Sequence, residues 1–392
     1  MSNKQETRRL FGIKYLFLLC ILGCLSTATF GQDVTVKVQI EGINGKVPLA
    51  LAHLWGQTIT GLTPDNVTYE MTGVEIQNNS AQTRTFQLKL ELQGLGTAAT
   101  KTVEVGPMNK VVVQGSPILD WNLVSNCVDE QVAKLTVELA EGQNVVFSDV
   151  INVPLMGKDD IPMYADAKPL YFFLVTRVQP KSKLVNQILS EASQRMGFQF
   201  RKGITGYQGT NNPDQMKEDI RKIYKTIQAM NFTYVNTPVS FEEGYQRIKT
   251  PSEALQMRTG NCIDGTLVFA SCISAIGYNP IIVIVPGHAF VIATIPPRDL
   301  SGTRETRRLN NSMTLNGGQP ALPSASCVSW FPIETTVLQA RSKQNFALTR
   351  MSFEEAMNIA VGELTSAGPG KVVLIDVEAW RACGLLPVPE IR

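Results

Sequence analysis

Histidine is nearly absent from this sequence: 392 residues contain only His53 and His288. A zinc site built on several histidines, or an H-E-x-x-H metalloprotease, is excluded on that count. An excess of one charge is missing too. Lys and Arg number 36 against 34 Asp and Glu, so the basic surplus typical of a nucleic-acid binder is lacking. No C-x-x-C pair supports a Cys/His zinc cluster, and no glycine-rich nucleotide motif is visible. No cofactor and no metal are therefore expected. Apolar residues reach 44% and charged residues 18%, which excludes general disorder and is ample for real cores. The length suits two domains better than one.

The N-terminus carries Lys4, Arg8, Arg9 and Lys14, then an apolar run from Tyr15 to Leu25, then small residues from Ser26 to Ala28. That order describes a secretory signal peptide, assigned to 1–31, with cleavage near Ala28 or Gly31. The run stops at eleven residues, short of the about 20 that span a bilayer. Ile21-Leu22-Gly23-Cys24 also resembles a lipobox, which gives the alternative of a lipid anchor at Cys24. The expected location is periplasmic or extracellular, with no membrane contact beyond the signal or that anchor. Removing the signal leaves Cys127, Cys262, Cys272, Cys327 and Cys383. An odd count in an exported chain leaves at least one thiol that cannot pair internally. Cys327 and Cys383 are candidates to pair with each other or with Cys127, and Cys272 reads as core.

From Asp33 to about Val153 the pattern has period two. Val34, Val36, Val38 and Ile40 alternate with polar residues, as do Phe86, Leu88, Leu90 and Leu92, and then Leu135, Val137 and Leu139. Such runs are half-buried strands, and several of them between turn clusters predict an Ig-like β-sandwich over 32–157. His53 lies here beside Leu54 and Trp55 and reads as a packed side chain. Gly157-Lys158-Asp159-Asp160-Ile161-Pro162 reads as the linker. The second domain, 163–392, changes period. Leu184, Ile188, Leu189, Ala192 and Met196 have helical spacing up to Gly197, and Ile220, Ile223, Tyr224 and Ile227 mark a helix after Asn212-Pro213-Asp214. Pro251 opens a further short helix. The overall class is α+β.

The segment Gly260-Asn261-Cys262-Ile263-Asp264 stands out. Asn261 is a fair N-cap, and Ile263, Leu267, Ala270, Ser271 and Ile276 continue a mostly apolar helix to Gly277. Cys262 then sits in the first turn, where free N–H groups and the positive dipole end favour thiolate and can also receive an oxyanion. Ile281–Val285 reads as a buried strand, Pro286-Gly287 as a turn, and His288 opens a second run. An imidazole at that strand edge could reach the thiol, and the base then needs an orienting partner. Glu334, in Trp330-Phe331-Pro332-Ile333-Glu334, offers a carboxylate on an extended segment. Asp376 is the alternative acid.

The stretch from Pro251 to Val291 resembles the core of the transglutaminase-like superfamily, a branch of the papain-like cysteine enzymes. The resemblance rests on Gly260-x-Cys262-x-Asp264, the apolar helix, Gly277-Tyr278-Asn279-Pro280 and Pro286-Gly287-His288-Ala289-Phe290-Val291. It extends more loosely from Phe173 through Tyr207 and Tyr234 to Leu386-Pro387-Val388-Pro389. It implies a Cys-bearing helix packed on an antiparallel sheet that bears the His and the acid. It also implies Cys262 as nucleophile, His288 as general base and then acid, and an acidic orienter. The family usually has Asp in that third place; here Glu334 follows a long excursion from Pro296 to Ser326. Asp264 is expected to tether a neighbouring loop, Gln246 or Tyr234 to donate to the oxyanion, and Tyr207 with Gln208 to line the cleft.

The function these readings imply is acyl transfer through a thioester on Cys262. Nothing in the sequence marks a tunnel that would keep water from the thioester, so hydrolysis of a peptide or amide bond is expected. Protein crosslinking with an amine acceptor and a catalytically idle binding or scaffold module are the alternatives. The expected partner is a protein, peptide or cell-wall peptide substrate, not nucleic acid.

Overall fold

The computed structural model describes residues 21–29, 33–60, 67–165, 168–195, 203–206, 212–235, 244–294, 330–336, 340–342, 348–368 and 371–390. The fold is α+β, and the chain divides into two compact units. One comprises Met1–Leu170, Ser240–Arg247 and Pro389–Arg392; the other comprises Tyr171–Val239 and Ile248–Val388. Among the described residues no helix is long and apolar enough to cross a membrane.

Two layers make the first unit, antiparallel except where Val47–Pro48 runs parallel to Asn144–Met156. A four-stranded sheet runs β1 (Ile21–Thr29), β2 (Val34–Glu41), β4 (Thr72–Asn78) and β7 (Lys110–Gly115). A five-stranded sheet runs β3 (Val47–Pro48), β9 (Asn144–Met156), β8 (Gln131–Glu141), β5 (Arg84–Leu92) and β6 (Ala99–Val105). The alternation in the sequence sets the inward face. Val34, Val36, Val38 and Ile40 meet Phe86, Leu88, Leu90, Leu135, Val137 and Leu139 in one apolar core. Strand β1 falls within the segment read as the export signal, and its neighbour β2 pairs with it from Thr35 to Glu41. Residues 1–20 lie outside the described residues. The expected linker is not an open loop: Asp160–Pro162 pairs with Tyr245–Arg247 and is buried. The polar residues that suggested exposure are satisfied internally. Asp160 accepts from the Gly157 N–H at 3.0 Å and from Arg247 Nε at 3.2 Å.

In the second unit the helices begin at side-chain caps, except the one at Lys183–Gln194, whose Ser182 makes no cap bond. α1 spans Lys183–Gln194 and α2 spans Pro213–Ala229. Asn212 caps α2 by accepting the N–H groups of Asp214 and Gln215, and Pro213 supplies a preset first turn. β10 (Thr233–Tyr234) runs parallel to β11 (Thr259–Gly260). Between them α3 (Pro251–Met257) starts at Thr250, whose side chain and that of Glu253 satisfy each other's N–H groups. α4 (Cys262–Ala275) is apolar nearly all round and is buried from Ile263 to Ile273, as a helix of that composition must be. The sheet beside it is antiparallel, ordered β14 (Trp330–Ile333), β13 (His288–Thr294), β12 (Asn279–Val285) and β15 (Val373–Asp376). α5 (Phe353–Ser366) and α6 (Val377–Ala382) complete the unit. One face of the sheet packs Val283, Phe290 and Ile292 against Ala360 and Leu364 of α5.

The layer assignment predicts a sharp contrast between two sites in the first unit. Leu88 is fully buried and Val132 is 65% exposed. Leu88→Ala is expected to cost about 2–5 kcal/mol, while Val132→Ala stays within about 0.5 kcal/mol. Urea unfolding of the full chain measures both, and equal effects would contradict the layer assignment.

Candidate active site

Cys262 owes its place to a capping box. The Asn261 side chain accepts the Asp264 N–H at 2.9 Å, and Asp264 Oδ2 accepts the Asn261 N–H at 3.1 Å. Cys262 is thereby fixed as the first helical residue. The box uses two of the N–H groups at the helix start and leaves those of Cys262 and Ile263 at its mouth. Asp264 is almost fully buried and also accepts from the Lys249 N–H at 3.0 Å and from Lys249 Nζ at 3.3 Å. Burial raises its pKa, and Lys249 with the two N–H donors only partly offsets that. It therefore ties the segment before α3 to the mouth of α4, the tether its position suggested.

His288 arrives through the hairpin of β12 and β13, where it pairs with Val285. Pro286-Gly287 closes the turn, with Gly287 at φ +74°, a conformation that suits glycine. Glu334 directly follows β14, whose Ile333 pairs with Val291. Continuing that register by one step puts Glu334 beside Phe290, on the same face as His288 and diagonal to it. The side chains meet there: His288 Nε2 lies 2.6 Å from Glu334 Oε2. Cys262 also interacts with this imidazole. With Nε2 committed to the carboxylate, Nδ1 is the nitrogen left for the thiol.

The electrostatics follow from burial and pairing. Burial disfavours charge on His288, but hydrogen bonds and negative charge from Cys262 and Glu334 outweigh it and raise the imidazole to about 10. Glu334 is 1% exposed. Burial alone would raise its carboxyl; the bonds from His288 and from Thr336 reverse that and hold it below the ordinary carboxylate value. Oε1 accepts both the N–H and the Oγ1–H of Thr336, each at 2.7 Å. Thr335 packs on the helix start. A Cβ on Gly265 would lie 3.1 Å from Thr335 Oγ1, so glycine permits the approach of α4 to the acid-bearing segment.

The structure thus brings Cys262, His288 and Glu334 together. Tyr234 lies beside them: it pairs with Gly260, and its phenol is held above its ordinary pKa by burial, then by Cys262 and Glu334. Gln246 belongs to the first unit, where it pairs with Ile161. Asp376, the alternative acid, instead caps α6 by accepting the Ala379 N–H at 3.0 Å. The carboxylate-then-helix order at Asp376-Val377 is a capping signal that explains this use. Cys272 is core, and burial pushes its thiol up to about 12. Tyr207, Gln208 and Cys327 lie outside the described residues. Sequence reasoning missed Thr335 and Thr336. The only local hint was a hydroxyl two residues after a carboxylate, a spacing that permits such bonds without requiring them.

A pH dependence follows. His288 binds its proton more tightly folded than at its ordinary value of 6.5, so its stabilising contribution is full below about pH 6.5 and is lost as pH rises through about 10. Glu334 is depressed, so its contribution is present above 4.5 and is lost as pH falls through its lowered value. Glu334→Gln is expected to lower the His288 titration midpoint well below 10 in nitrogen NMR and to flatten the loss of stability between pH 7 and 10. Identical titrations in the two proteins would contradict the pairing.

No family model matches this chain, and no curated protein does. Likenesses to solved structures are remote. A FixG-related protein from Vibrio parahaemolyticus is 12% identical, over 33% of this chain and 99% of that one, at a TM-score of 0.22. A putative protease from Parabacteroides distasonis is 8% identical, over 57% of this chain and 61% of that one, at 0.21. Bacteroides uniformis beta-glucuronidase 2 is 9% identical, over 52% and 25%, at 0.17. At these scores the chain is assigned to none of their families.

Proposed function

We propose that this protein is a cysteine-dependent acyl-transfer enzyme that hydrolyses peptide or amide bonds, with a transglutaminase-like second unit preceded by an Ig-like sandwich. The observation that carries the reading is one imidazole bonded to a buried carboxylate and interacting with a cysteine at a helix start. In this reading the resting pair is thiolate and imidazolium, because a helix mouth and a neighbouring imidazolium both favour charge on a sulfur. The Cys262 thiolate attacks the carbonyl carbon, and the Cys262 N–H receives the oxyanion. His288 gives its Nδ1 proton to the leaving amine as the C–N bond breaks, which leaves a thioester and a neutral imidazole. That imidazole then takes a proton from water while the oxygen attacks the thioester. Collapse expels the thiolate, which re-forms the thiolate–imidazolium pair. Glu334 holds the ring and stabilises its positive charge throughout.

Cys262→Ala and His288→Ala are each expected to lower turnover of a cleaved peptide by about 10³-fold or more, and the double variant to be scarcely worse than either single one. Peptide-library cleavage followed by mass spectrometry measures this. The products distinguish hydrolysis from amine transfer when a primary amine is added. Unchanged turnover in either single variant would overturn the mechanism.

A further inference from the structure

A glutamate has one more rotatable bond than an aspartate, so a carboxylate of that length reaches His288 in a fixed geometry only if its far oxygen is held. We infer that Thr336 is the positioning residue of this site: its two bonds to Glu334 Oε1 lock the side chain so that Oε2 alone faces His288. Three observations converge. Oε1 accepts the Thr336 N–H and Oγ1–H at 2.7 Å each, while Oε2 meets His288 Nε2 at 2.6 Å. The Glu334 N–H is itself anchored on the Ala356 carbonyl of α5 at 3.3 Å. The adjoining Thr335 Oγ1 donates to the Cys262 carbonyl at 3.5 Å and lies 3.4 Å from Thr266 Oγ1, which keeps the segment in register with the helix mouth. One dipeptide, Thr335-Thr336, therefore sets both ends of the Cys262–His288–Glu334 line.

Ionisable groups that interact with the acid are His288 on β13, Tyr234 on β10 and Tyr224 on α2, with Glu355 of α5 also acting on Tyr224. The Thr336 donors hold the Glu334 carboxylate alongside the imidazole. Removing the hydroxyl weakens the hold on the carboxylate, hence the imidazolium, hence the thiolate that faces it.

This inference rests on the thiolate–imidazolium reading above. The experiment follows iodoacetamide alkylation of Cys262 by peptide mass spectrometry from pH 4.5 to 9 in the full chain. It compares wild type, Thr336→Val, Thr336→Ser, Glu334→Gln and the Thr336→Val/Glu334→Gln double variant, each checked for a native unfolding transition. Thr336→Val is expected to cut the alkylation rate at pH 5 by about 10-fold and shift the profile toward neutrality, with Thr336→Ser restoring it. In the Glu334→Gln background the same change is expected to do almost nothing, because the residue acts through the acid. A Thr336→Val profile equal to wild type, an undiminished effect in the Glu334→Gln background, or failure of Ser to restore would overturn the inference while leaving the enzyme reading intact. A wild-type Cys262 that does not react below pH 6 would overturn both.

Discussion

A carboxylate buried to 1% exposure is costly unless every lone pair is used and an opposite charge lies close. Glu334 meets that condition through His288 on one oxygen and Thr336 on the other. The consequence spreads outward. The imidazole is held through Nε2 and its proton is retained.

Three separate pieces of chain must converge for that bond to act. The capping box of Asn261 and Asp264 decides where α4 begins, a two-residue turn puts His288 at the first position of β13, and the register of β14 delivers Glu334 diagonally across from it. Close approach is permitted by small residues at the crossings. A Cβ at Gly260 would lie 2.8 Å from Phe232 Cζ, a separation that packed atoms do not tolerate. The site is precise because it stands on a helix start and two strand ends rather than on free loops.

Much of this was legible in the residues. Period-two runs such as Phe86–Leu92 gave strands with the expected inward face, because alternation is a local consequence of the pleat. Asn261 and Pro251 announced helix starts, because caps are also local. The pairing of acid to imidazole was less legible, since a 46-residue separation carries no register information and two carboxylates competed. Asp376 lost its candidacy to a capping duty, and Thr336 went unnoticed because threonine is common and its bonds depend on where Glu334 turns. The Gly157–Pro162 stretch looked like a linker because its polarity is visible in sequence and its internal partners, such as Arg247, are 87 residues away.

The central claim is that the imidazolium of His288 keeps the Cys262 sulfur ionised at acid pH. Difference absorbance at 240 nm between the wild-type protein and Cys262→Ser reads thiolate directly. The account predicts a thiolate signal already present at pH 6 that disappears when His288 is replaced by Ala in both proteins. A flat difference at pH 6, with absorbance emerging only under alkaline conditions, would contradict it.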